Sequence, residues 1–264
     1  MLKFLVAALL ALAAGPAVAG VQTSIPASAT QSPKAFWAAV MEEFYGPYST
    51  RQKCWLGTVE GKAVCMRPHR LDTVVEGGAS RYYLVIGGYE LQEGGGRPDC
   101  HACAGSIGLI VLGGGSSRLE LVARNSLAEP AGSWGEVPGE KQFRLQRIGP
   151  AAYGWTMESG YTGQGYTGVG ETVFGLVGDK VADLGFINTH SDNSGACGDG
   201  MAACYAHDYE LIFDIAPGDT RFSDVIVRRL DSTDPKSPAS FAVPFNRQTL
   251  SYDVPQALSD LLGI

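Results

Sequence analysis

Residues 170–188, GETVFGLVGDKVADLGFIN, decide the fold. Two runs rich in Val, Phe, Leu and Ile are separated only by Gly178 and Asp179. A two-residue connection cannot house a crossover helix, so the runs must pair as an antiparallel hairpin. The same grammar extends in both directions. SRYYLVIGGYEL (80–91), GSIGLIVLG (105–113), SRLELVARN (117–125), KQFRLQRIG (141–149), AAYGWTMESG (151–160), YELIFDIA (209–216) and RFSDVIVRRL (221–230) are each bounded by Gly, Pro, Asn, Asp or Ser. GGGS (113–116), GP (149–150) and PGD (217–219) supply further short connections. The fold expected is mainly β: an antiparallel meander of about ten strands, closed as a sandwich or as an open barrel. No self-similarity at the period of a propeller blade is present.

One segment breaks the β pattern. In SPKAFWAAVMEEFYGP (32–47), Ser32 is placed to cap a helix, Pro33 to occupy its first position, and Gly46 with Pro47 to stop it. Phe36, Trp37, Val40, Met41 and Phe44 recur at helical spacing, so an amphipathic helix over 33–45 is expected, with its aromatic stripe on the β core. Residues 20–31 read as a flexible lead-in, PQALSDLLG (255–263) as a short closing helix, and 32–264 as a single β-rich domain.

The first residues set the compartment. Lys3, an apolar run from about Phe4 to Ala14, Pro16 and the small triplet Ala17, Val18, Ala19 have the layout of a signal peptide over 1–19. The run falls short of the roughly 20 residues of a membrane span, and no second such run follows, so no span is expected in the mature chain. A periplasmic or secreted protein is therefore expected. A net charge of -7 and a pI near 5.1, without a basic cluster, argue against a nucleic-acid partner.

Six cysteines in an exported chain favour disulfides, and they fall into close pairs: Cys54 with Cys65, Cys100 with Cys103, Cys197 with Cys204. The Cys-x-x-Cys of DCHACAG (99–105) has rival readings. A redox pair sits at a helix start, whose dipole stabilises the thiolate, but AGSIGLIVLGGG follows here and reads as a strand. Haem attachment needs His after the second cysteine, and Ala104 stands there. Zinc remains open through Cys100, Cys103, Cys204 and His207, a plausible tetrahedral set.

No nucleophile elbow, His-Glu-x-x-His or phosphate-binding glycine loop occurs, so no catalytic residue and no cofactor is nominated. Two segments look specialised. SGYTGQGYTGVGE (159–171) repeats GYTG; as a hairpin with a four-residue loop, 162–165, it makes Tyr161 and Tyr166 a directly opposed pair on one face. NTHSDNSGACGDGMAAC (188–204) is a long polar connection, whose Asp192, Asn193, Ser194 and Asp199 are oxygen donors suited to calcium, though not at the spacing of a calcium loop. Because both flank the 170–188 hairpin opposite its turn, they must emerge at one end. That brings Tyr161, Gln164 and Tyr166 towards His190, Asp192 and Asn193, aromatic faces beside hydrogen-bonding groups. The leading expectation is an exported, disulfide-stapled, non-enzymatic β domain binding an envelope or extracellular ligand, a saccharide or a peptide, there. The alternatives are an envelope enzyme such as a hydrolase with a site assembled from distant residues, and a thiol or zinc protein centred on Cys100 and Cys103.

Overall fold

The computed structural model describes residues 21–76, 78–198, 200, 202–216 and 221–263. The signal-peptide reading of 1–19 and the PGD turn lie outside the described residues. Along the chain run β1 (Val21–Pro26), α1 (Pro33–Tyr45), β2 (Tyr48–Ser49), β3 (Cys54–Val59), β4 (Lys62–Glu76), β5 (Ala79–Glu90), β6 (Gly105–Gly113) and β7 (Arg118–Ala131). There follow β8 (Phe143–Gly149), β9 (Ala152–Gly163), β10 (Tyr166–Val177), β11 (Lys180–Asp192), β12 (Ala206–Phe213), β13 (Val225–Ser232), β14 (Ser240–Val243), β15 (Phe245–Asn246), β16 (Ser251–Tyr252) and α2 (Gln256–Leu262).

The protein is mainly β, and its strands pair antiparallel with their neighbours, as expected. The exception is one parallel contact, Lys180 of β11 beside Arg124 of β7, which joins the two halves of a 14-stranded hydrogen-bonded sheet. The sheet does not close into a barrel; it folds over itself as a sandwich. The defining hairpin forms with Val177 opposite Lys180, so Gly178 and Asp179 are its whole turn, and Gly178 takes the positive φ (64°) such a turn demands.

Packing follows from which faces are apolar. On one side of β3–β6, Val64, Met66, Leu84, Ile86, Ile110 and Leu112 bury against Phe36, Val40, Met41 and Tyr45 of α1. On the other, Tyr83, Val85, Ile107, Leu109 and Val111 meet Phe143, Trp155, Met157 and Phe174 of β8–β10. Strands β5 and β6 are covered on both faces, which is why their sequences read as unbroken apolar runs rather than as alternation. Beyond β8–β11, a third cluster unites Val173, Leu184 and Ile187 with Phe213, Val225, Val227, Leu258 and Leu262 of β12, β13 and α2. The helix obeys its caps: the Ser32 hydroxyl accepts from Ala35 N at 3.4 Å, and Gly46 ends α1 at φ 93°.

Two expectations need correction. Residues 21–31 are a structured element, not a flexible lead-in: β1 pairs with β7, burying Thr23 and Ile25, and a 3-10 turn follows, burying Ala29. The many-stranded, mainly antiparallel sheet is as expected, with sixteen strands among the described residues. Among the strands not read from the sequence, β4 carries Pro68 at a register shift between Pro68 and Arg70, where the ladder tolerates a missing donor. The turn at 162–165 is also shorter than expected, with consequences for the tyrosines described next.

Candidate functional site

Along one face of the β9–β10 pair the buried residues give way towards the strand ends to Ser159, glycines and the tyrosines Tyr161 and Tyr166. Trp155 and Met157 of β9 and Phe174 of β10 fill the interior between the sheets. Next come Ser159, Tyr161 and Gly163 on β9, facing Gly170, Gly168 and Tyr166 on β10. Where Ser159, Gly168 and Gly170 take the place of buried bulk, the sandwich opens into two clefts that share Gly132, Ser159, Gly160 and Tyr161. One, of about 550 Å3, has Ser159–Thr162 on one wall and His101, Ser133, Glu136 and Gln142 on the other. The second, of about 500 Å3, lies between Pro130–Gly132 and a wall of Gly168, Phe186 and Asn188. Tyr161 lines both and is 62% exposed; Phe186 is 44% exposed. Phe186 lies on Gly170 so closely that a Cβ there would fall 2.4 Å from its ring, so only glycine leaves this wall flat.

The Cys-x-x-Cys segment belongs to the opposite wall. Cys100 and Cys103 form a disulfide and close a tight turn, in which Cys103 N donates to Cys100 O at 3.0 Å. Cys103 O in turn accepts from Gly135 N at 2.7 Å. His101 meets the exposed Trp134 edge-on at 5.7 Å, and Arg97 bonds both Trp134 O and the Glu136 carboxylate. The staple thus ties the 99–104 turn to the 131–137 loop and shapes the cleft.

Cys54–Cys65 and Cys197–Cys204 are disulfides as well, so the pairing by proximity is found throughout. It also breaks up the zinc set, since Cys100, Cys103 and Cys204 are each bonded to another sulfur and the buried His207 ring bonds Ser232 Oγ at 2.8 Å. The tetrahedral set depended on three cysteine thiolates, and none is left.

The structure distributes the six nominated ligand-site residues unevenly. The β9–β10 turn is only Gln164 and Gly165, with φ 54° and 86°. Tyr161 therefore faces Gly168, and Tyr166 faces Gly163: the tyrosines share a face but sit diagonally, not directly opposed as expected. His190 pairs with Val169 and Asp192 with Thr167, which places both on the other face of the sheet. Asn193 is buried and occupied, donating to Ala203 O at 2.9 Å and accepting from Tyr205 N at 2.7 Å. The two loops do lie side by side: Gly195 N donates to Gly165 O at 3.0 Å. Of the proposed calcium donors, Asp192 is engaged by His190 and Ser194, Asn193 by Ala203 and Tyr205, and Asp199 lies outside the described residues.

His190 has two carboxylate partners, Asp208 at 2.6 Å through Nδ1 and Asp192 at 2.9 Å through Nε2. Partial burial alone would lower its pKa, but the hydrogen bonds to Asp192 and Asp208 outweigh it and hold the imidazole above its ordinary value. Asp192 accepts from the Ser194 hydroxyl and backbone N as well as from His190, which pulls its carboxyl down to about 2. Together they fix the end of β11 to β12.

Sequence reasoning missed Ser159, Phe186, Asn188 and the 131–139 wall, because a groove depends on which faces meet across the sandwich. One signal was present: Gly163, Gly168 and Gly170 recur on one face where a sandwich strand would carry bulk. Comparison with protein-family models, with curated proteins and with solved structures finds no match to this chain.

Proposed function

We propose that the protein is exported after removal of residues 1–19 and binds a periplasmic or extracellular ligand, a saccharide or a peptide, in the groove around Tyr161. One observation carries this reading: the sandwich interior changes from Trp155, Met157 and Phe174 to Ser159, Gly168 and Gly170, opening two clefts that share an exposed tyrosine. Aromatic faces beside polar groups in a concave site suit sugar rings and peptide side chains alike. Tyr161, Gln164 and Tyr166 are the proposed ligand contacts. His190, Asp192 and Asn193 serve the site by bracing the neighbouring loop. Three disulfides and the lack, among the described residues, of a helix able to cross a membrane are compatible with such a location.

The test is a screen of the purified, disulfide-intact protein against immobilised oligosaccharides and displayed peptides, followed by hydrogen exchange on any hit. Protection at 131–139 and 159–170 is the expected result. Protection confined to other elements would move the site elsewhere.

A further inference from the structure

We propose that the outer edge of β9, from Glu158 to Gly163, takes up an extended peptide as an added strand, with a Lys or Arg side chain of the peptide against Glu158. This rests on the reading of the groove as a ligand site and names the ligand class.

The edge is built by an early departure. β8 accompanies β9 only as far as the pair Phe143 with Met157. Before Phe143 the chain turns away through the 3-10 turn Glu140–Gln142, fastened by Gly139 N donating to Gln142 Oε1 at 2.7 Å. β9 continues six residues further, paired to β10 alone and in unbroken register. Among the described residues, the backbone groups of 158–163 that face away from β10 bond to no other element. Glu158, Gly160, Tyr161 and Thr162 are exposed.

Such an edge is a template for another strand, and proteins ordinarily blunt it with Lys, Pro or a bulge. The segment ESGYTG has none of these devices. Six residues span about 20 Å, enough for several main-chain hydrogen bonds. The 550 Å3 cleft runs beside this edge, between Ser159–Thr162 and the wall at Val137–Gly139 and Gln142. An added strand would lie there in line with β8. Its alternate side chains would fall towards Ser159 and Tyr161 on one face and towards Glu158 and Thr162 on the other, the usual division between main-chain affinity and side-chain selectivity.

Charge argues for the occupant. Glu158 stands directly opposite Glu171 across β9–β10. Arg144 bonds Glu171 Oε1, while Glu171 Oε2 is buried without a hydrogen-bond partner. One guanidinium facing two carboxylates leaves this corner negative, so a cationic side chain arriving on an added strand meets complementary charge.

The probe is a set of peptides selected from a displayed random-heptapeptide library on the purified protein, then synthesised with single backbone N-methyl groups. The expected results are protection of amides in 158–163 on peptide binding, about tenfold loss of affinity for N-methylation at every second position, and enrichment of Lys or Arg with about threefold weaker binding to Glu158→Gln. Failure to select peptides, indifference to N-methylation, protection elsewhere, or a dimer of the protein occupying the edge would each overturn strand addition. If oligosaccharides then bind with protection around Tyr161, the groove reading survives alone; if no ligand protects the groove, both fail.

Discussion

His190 shows how a single residue can hold two strands. Its ring bridges Asp192 on β11 and Asp208 on β12, and its pKa is raised against the downward pull of burial. A raised histidine stabilises the fold fully below its unfolded value of about 6.5, and that contribution fades as pH rises through the higher folded value. Asp192, held at about 2, works in the opposite sense: its contribution is present above about 3.9 and fades as pH falls through 2. Urea midpoints should therefore show a plateau between roughly pH 4 and 6.5 from this cluster. Replacing His190 with Gln should lower the plateau by about 1 kcal/mol at most, given that Asp208 is half exposed, and flatten the alkaline decline. A histidine NMR titration placing His190 at or below 6.5 would contradict this. The pair was only partly legible in the sequence: Asp192 stands two residues away, but Asp208 arrives through the pairing of β11 with β12.

At the scale of elements, the contact between the β9–β10 turn and the 193–205 loop depends on Gly165. Its φ is 86°, and a Cβ there would lie 2.3 Å from the backbone carbon of Gly195. Gly165→Ala should cost about 1–3 kcal/mol and loosen the loop, read as faster hydrogen exchange at 193–205. Unchanged exchange would show that the contact does not hold the loop. The staples act on the same scale. Removing the buried Cys54–Cys65 bridge as a double alanine variant should cost about 2.5–3 kcal/mol, and removing Cys100–Cys103, with its much shorter ring, about 2 kcal/mol. Intact mass should show no alkylated thiol before reduction and six after it. Strands β5–β13 were legible because turn residues punctuate apolar runs. β1 was not, because it buries only Thr23 and Ile25, and β4 was not, because Pro68 and a register shift interrupt it.

For the whole molecule, four layers stack in order: α1, the β3–β7 sheet, the β8–β11 sheet, then β12–β14 with α2. Sequence pattern foretold a mainly antiparallel β fold, because alternation and turn length are local, but left its closure, sandwich or open barrel, undecided. The groove escaped it because Ser159, Phe186 and the 131–139 wall meet only through the register of β7, β9, β10 and β11 and a cross-sheet approach. The tyrosine repeat lies at the end of the molecule where the two clefts open, while the turn length, two residues rather than four, sets the diagonal placement of Tyr161 and Tyr166. The claim that joins these scales is that the opened interior around Tyr161 is the binding site. It is tested most directly by titrating a ligand from the screen into the parent protein and Tyr161→Ala, with melting temperatures recorded for both. Because Tyr161 is 62% exposed, its truncation should leave stability within about 0.5 kcal/mol, while affinity falls about tenfold or more. Equal affinity of the two proteins at equal stability would contradict the account.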